Sequence, residues 1–191
     1  MSLDPKADLA AQARALGFEA FGVAPIDPPL RREYYLNWIA EGRHGNMRWM
    51  ERNNERRLQP ANILPEAKSI LCLGMNYWQP HPERRGRIAR YALGGDYHKV
   101  ILKKLKLLCA YLREHYKADQ KPYVDTGPVL EKPVAVSAGL GWQGKSTILL
   151  NDREHGTWLF LGMIFTTLEL EPDSPPADRC GTCTRCIDAC P

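Results

Sequence analysis

From Tyr97 to Lys117 the apolar residues Ile101, Leu105, Leu108 and Leu112 recur at steps of three and four, while Lys103, Lys106, Arg113 and Lys117 fall on another face. The spacing predicts an amphipathic helix with a solvated basic stripe. A second helix is expected over residues 5–16, where Asp4 serves as N-cap, Pro5 takes the first helical position and Gly17 is the stop. FEAFGVAPI (Phe18 to Ile26) alternates and β-branches like a strand, and KSILCLGM (Lys68 to Met75) is a short apolar run of the buried-strand type. PYVDTGPVLEKPVAVSAG reads as strand, turn and strand, and WLFLGMIFTTLEL as a long strand; the charged stretch containing HGNMRWMERNNERR is expected to be helical. EPDSPPADR, Glu171 to Arg179, has three prolines and no apolar period, the signature of a linker. Strands mixed with amphipathic helices place the chain in the α/β class, as an α+β layered fold. No internal repeat is visible.

Composition narrows the class of protein without naming a chemistry. A chain of 191 residues, 44% hydrophobic and 25% charged, can bury one ordinary core with room for a small satellite. Its formal charge of +4 permits an anionic partner without demanding one. The start MSLDPKADLAAQ lacks the basic and apolar segments of a secretory signal, and the longest apolar stretch, Trp158 to Phe165, is too short to span a bilayer. A soluble, cytoplasmic protein without membrane contact is therefore expected. Structural disulfides are then disfavoured, and the six cysteines pose a question about metals.

Four of them answer it. CGTCTRCIDACP carries Cys180, Cys183, Cys186 and Cys190 in the pattern C-x2-C-x2-C-x3-C-P, a spacing that wraps a tight loop around an iron–sulfide cube. Structural zinc is the competing reading, but zinc knuckles usually pair two well-separated C-x2-C units, whereas these four thiols lie within eleven residues. Cys72, in an apolar strand, and Cys109, beside Leu108, read as small buried hydrophobes. In two-cluster proteins the fourth cysteine serves the other cluster, whose own run is absent here, so a fragment of a longer protein is expected.

Three further stretches invite functional readings. GLGWQGKS, Gly139 to Ser146, matches the phosphate-loop pattern G-x-x-x-x-G-K-[ST], yet STILLNDREHG reaches Asn151, Asp152 and Gly156 too soon for the long helix such a loop precedes. A Gly-rich turn holding Trp142 and Lys145 against a bulky cofactor also suits these residues. DYHKVI begins like a cobalt-coordinating D-x-H-x-x-G pattern but has Ile101 in place of the glycine, which disfavours His98 as a metal ligand. Asp125, in YVDTGPVL, sits between apolar residues at a strand end. Desolvation would make it a proton donor near neutrality; alternatively it caps the turn at Thr126 and Gly127, with Glu131 as a salt-bridge partner.

The succession HGNMRWMERNNERR, SILCLGMNYW, RYALGGDYHK, YVDTGPVLEK, GLGWQGKST and CGTCTRCIDACP resembles the N-terminal portion of the cobalamin-dependent epoxyqueuosine reductases, over nearly the whole chain. The resemblance implies a nitroreductase-like cobalamin-binding catalytic domain over residues 1–170, a Pro-rich linker over 171–179, and the first half of a ferredoxin-type [4Fe-4S] module over 180–191. It implies an oxidoreductase of queuosine biosynthesis that acts on the wobble nucleoside of tRNA and turns an epoxide into an alkene, fed by an external electron donor through two clusters and cobalamin. It makes Asp125 the proton donor and Cys180, Cys183, Cys186 and Cys190 the cluster ligands. Arg57, Tyr97, His98, Trp142, Gly144, Lys145 and Ser146 are candidates for the corrinoid pocket. Arg84, Arg85, Arg87, Arg90 and Tyr91 mix base and aromatic in the manner of an RNA contact. A monomer is expected. Two other classes remain open: a ferredoxin-like electron carrier, and a nucleotidase with an incidental metal knuckle.

Overall fold

A computed structural model describes residues 4–28, 31–80, 88–151 and 155–191. At its centre a four-stranded antiparallel sheet runs in the order β1-β2-β6-β3, from β1 (Ala20–Pro25), β2 (Ser69–Asn76), β3 (Gln120–Tyr123) and β6 (Leu159–Thr166). A two-stranded hairpin of β4 (Trp142–Gln143) and β5 (Leu149–Leu150) stands apart from it. The fold is mixed α/β.

Strand alternation decides the two faces. Leu71 and Leu73 of β2 and Ile164 of β6 point to one side; there they meet Leu9 and Ala13 of α1 (Pro5–Ala15) and Ile101, Leu105, Leu108 and Leu112 of α4 (Tyr97–Tyr116). Ile70 and Cys72, with Met163 and Phe165 beside them in register, point to the other side, onto Val134, Ala135 and Ala138 at α5 (Glu131–Ser137). The sheet is thus covered on both faces, and β2 and β6 lie within it between two edge strands. Both cysteines expected to be core hydrophobes are buried, and burial pushes their thiols up, Cys109 to about 12.

Both predicted helices form with their caps: Asp4 accepts from the Lys6 amide at 3.1 Å, and Asp96 accepts from that of His98 at 3.0 Å. Asp8 ties them together by accepting from Tyr111 and from Tyr116, the latter at 2.6 Å. Gly22 is required where α5 ends against β1, because a Cβ there would meet the Ala138 carbonyl oxygen at 2.0 Å.

Two expectations need correction, and the expected linker gains detail. PVAVS is helix, not strand: Pro133 occupies the third position of α5, where its missing N–H has no intrahelical partner to lose, and packing of Val134 on the sheet, beside the helix-favouring Ala135, overrides the valine's strand preference. HGNMRWMERNNERR is mostly turn. It begins after α2 (Arg32–Ala40), forms a 3-10 turn at Arg48–Met50, and ends in the single short helix α3 (Asn54–Leu58), entered through Asn53 at φ +57°. Residues 171–179 lack regular structure but are strapped down. The Asp173 amide donates to the Val23 carbonyl at 2.8 Å, and its carboxylate takes the Val23 amide at 2.9 Å and the Lys6 ammonium at 2.7 Å. No helix of the described residues is long and apolar enough to cross a membrane.

Candidate active site

An open groove of about 540 Å³ lies where α3, the loop from β3 to α5 and the turn of the β4–β5 hairpin meet. Of the predicted site residues, Arg57, Asp125, Gly144 and Lys145 line it together.

Asp125 follows β3 at φ +53°, a left-handed conformation that swings its side chain away from the strand line. Its carboxylate accepts from the Tyr97 hydroxyl at 3.0 Å and pairs with His98 Nε2 at 3.2 Å, while its own amide donates to Glu131 at 2.7 Å. It is not the turn cap that the sequence allowed, nor is it desolvated: its side chain is 60% exposed. His98 bridges two carboxylates, since Nδ1 meets Asp96 at 2.9 Å. That contact with Asp96, aided by Asp125 and opposed by desolvation, holds the imidazole protonated above its usual range. Both ring nitrogens are thereby engaged, which leaves neither for a metal. Tyr97 stacks on Phe160 at 4.2 Å, and burial, then its bond to Asp125, raises its phenol so that it stays a neutral donor. Neither Tyr97 nor His98 lines the groove; they hold the residue that does.

The displaced acid is Glu131. Desolvation pushes its carboxyl up to about 7, against the lowering effect of the Asp125 amide bond, and it forms no salt bridge among the described residues. Sequence reading missed this because a carboxylate six residues beyond Asp125 gives no sign of its burial until α5 is seen to begin there. Arg31, Tyr35 and Lys132 also line the groove and were not anticipated; no motif marks them.

The hairpin explains the phosphate-loop resemblance. GLGWQGKS follows a helix and turns back into β5, with the Gly144 amide donating to the Ile148 carbonyl at 3.0 Å, so no helix N-terminus faces the loop. At Gly144 a Cβ would meet Leu150 Cδ1 at 2.2 Å, so any side chain there would require the leucine to shift. Lys145 turns its ammonium to the carbonyls of Gly181 at 2.8 Å and Cys183 at 3.0 Å, bracing the cysteine segment against the groove wall. Trp142 lines a separate small recess with Pro175 and Pro176 rather than the groove, and Ser146 lines neither.

Cys180 is partly covered and Cys183, Cys186 and Cys190 are exposed, the last two flanking or within the short helix α6 (Arg185–Asp188). Among the described residues no three His, Cys, Asp or Glu side chains are grouped as a metal site. No residue of the segment belongs to either buried apolar cluster, and such ligands converge when a metal centre binds them. In chemistry the set fits an iron–sulfur centre: four soft donors in one unhindered loop. Arg90 lies between Trp78 at 5.8 Å and Trp158 at 5.6 Å. Arg84, Arg85 and Arg87 lie outside the described residues.

Residues 57–126 match the family model described as "Epoxyqueuosine reductase QueG, DUF1730". An epoxyqueuosine reductase of Synechocystis sp. is 44% identical over 89% of this chain and 61% of its own length. A crystal structure of epoxyqueuosine reductase with an epoxyqueuosine-modified tRNA-Tyr stem loop superposes with a TM-score of 0.89 at 31% identity, over 97% of this chain and 51% of that one. A reductive dehalogenase described with a mechanism for B12-dependent dehalogenation shares the fold at 18% identity, with a TM-score of 0.57 over 90% of this chain and 21% of that one. The chain spans 48–61% of the length of the curated relatives it matches. Over that stretch, the chain is similar in sequence and in fold to the epoxyqueuosine reductases.

Proposed function

We propose that this chain forms the corrinoid-binding, proton-delivering part of an epoxyqueuosine reductase, which removes the epoxide oxygen from the modified wobble nucleoside of tRNA. The observation that carries the reading is Asp125, presented at the groove by Tyr97 and a doubly bridged His98. Conversion of the epoxide to an alkene consumes two electrons and two protons and releases water. When bound, a corrinoid supplies the reducing metal for that step and an iron–sulfur cluster conducts electrons to it.

The residues present fit a corrinoid. The groove combines an apolar floor of Val129, Leu130 and Pro133 with a buried Arg57 Nε that lacks any protein partner. Cys180, Cys183, Cys186 and Cys190 would hold a [4Fe-4S] cluster, braced by Lys145. His98, shared between two carboxylates, supplies a proton that Asp125 relays to the departing oxygen. Tyr97 donates to the Asp125 carboxylate and fixes its direction, while Glu131 pins the Asp125 amide. Arg90, with Trp78 and Tyr91 exposed beside it, suits stacking and phosphate contact with an RNA loop.

The test is anaerobic turnover of an epoxyqueuosine-bearing stem loop with a chemical reductant. Asp125→Asn is expected to lose on the order of 100-fold or more in kcat with corrinoid uptake intact. Wild-type turnover in that variant would reject the acid role. A nucleotidase is disfavoured by the hairpin, and an electron carrier alone would have no use for the Asp125 constellation.

A further inference from the structure

Arg57 is a guanidinium sunk in the groove wall. Its residue is 7% exposed, its Nε is buried without a hydrogen-bond partner, and none of the ion pairs among the described residues includes it. Among the described residues its electrostatic companion is the face of Tyr35, with the guanidinium carbon 6.0 Å from the ring centroid. Tyr35 is itself fixed, donating to the Met50 carbonyl at 2.5 Å.

Such an arrangement is costly. Arg remains charged at any accessible pH, and an unpaired buried cation costs several kcal/mol, of which a π face returns about 1–2 kcal/mol. The two carboxyls of the groove do not relieve it, since Asp125 is engaged by Tyr97 and His98 and Glu131 by the Asp125 amide. Arg31, Lys132 and Lys145 line the same groove, so cations outnumber carboxyls there. A planar fork in positive surroundings selects an oxyanion with several oxygens.

We propose that Arg57 is the anion-recognition point of the groove and that it takes a phosphate group. Resting on the corrinoid reading above, that phosphate is the diester linking the corrin ring to its nucleotide tail. Arg57 then distinguishes complete from tail-less corrinoids.

The experiment titrates the cofactor-free chain with cobalamin and with cobinamide, which lacks the nucleotide tail and its phosphodiester, following tryptophan fluorescence. Wild type is expected to bind cobalamin more tightly. Arg57→Met should weaken cobalamin roughly 10- to 100-fold and leave cobinamide unchanged, with Arg57→Lys in between because it keeps the charge and loses the fork. The ligand-free Arg57→Met protein should melt no lower than wild type, since an uncompensated charge has been removed. Equal weakening of both corrinoids together with a lower Tm would make Arg57 a structural residue and overturn the proposal, as would unchanged cobalamin affinity. Loss of stem-loop RNA binding with intact discrimination between corrinoids would assign the phosphate to RNA and likewise overturn it. If wild type binds neither corrinoid, the corrinoid reading falls on its own and inorganic phosphate decides the arginine. A phosphate-dependent rise in Tm confined to wild type then sustains the anion site, and equal rises in both proteins end it.

Discussion

In the central sheet, Leu71, Leu73, Met163, Ile164 and Phe165 are fully buried, each held by helices that close both faces. From Gly181 to Pro191 every residue is exposed, and the backbone bonds are short-range ones such as Cys183 to Cys180 at 3.0 Å. The first region is stabilised by its own apolar area. The second is tethered to the body by Lys145, and on the proposed reading its thiols would be brought together by an inorganic centre. The difference teaches that stability and chemistry are separable here, with the groove lying between the two.

The largest test of that separation is in the sheet. Ile164→Ala should cost about 3 kcal/mol and lower Tm by roughly 6–12 °C in calorimetry; a loss under about 1 kcal/mol would mean the sheet is not the stabilising body. Next comes Glu131. Its folded carboxyl binds a proton more tightly than the unfolded chain does, so its contribution is fully present below about 4.5 and is lost as pH rises through about 7. Allowing for its partial exposure, Glu131→Gln should remove about 2 kcal/mol of this decline while keeping an acceptor for the Asp125 amide, seen as a flatter urea-midpoint profile between those values. An unchanged profile would show that Glu131 is solvated.

Smaller still is the strap. Asp173→Ala should cost about 1–2 kcal/mol and speed proteolysis after residue 171, because the carboxylate's bonds to the Val23 amide and the Lys6 ammonium disappear while the backbone bond to the Val23 carbonyl stays. The smallest effect is expected at the thiols, where Cys183→Ser should leave the urea midpoint of the body within about 0.5 kcal/mol while iron and sulfide content falls in anaerobic reconstitution. A destabilised body would show that the two regions are coupled.

The strong periodicities were legible in advance. Helix α4 could be seen in Ile101, Leu105, Leu108 and Leu112, and β2 and β6 in their unbroken apolar runs, because these elements bury one face or both against a large core. Helix α5 was not, since Val134 and Val136 carry strand preferences that only docking against β1 and β6 overrides. At the site, Asp125 was visible as a lone acid and the cysteine run as a spacing. The burial of Glu131, the seating of Arg57 and the withdrawal of Trp142 to another recess depend on residues far away in the chain.

What the sequence by itself determined is chemical inventory and local rhythm: four thiols at cluster spacing, a helix capped at Asp4, an amphipathic helix from Tyr97 to Lys117, and apolar strand runs. Tertiary structure alone decided which carboxyl is desolvated and which is presented to solvent, that His98 is shared between Asp96 and Asp125, and that a phosphate-loop pattern is a hairpin. Spacing along a chain sets which groups can meet; only the folded path sets the dielectric, the neighbours and the missing partners that give each group its chemistry.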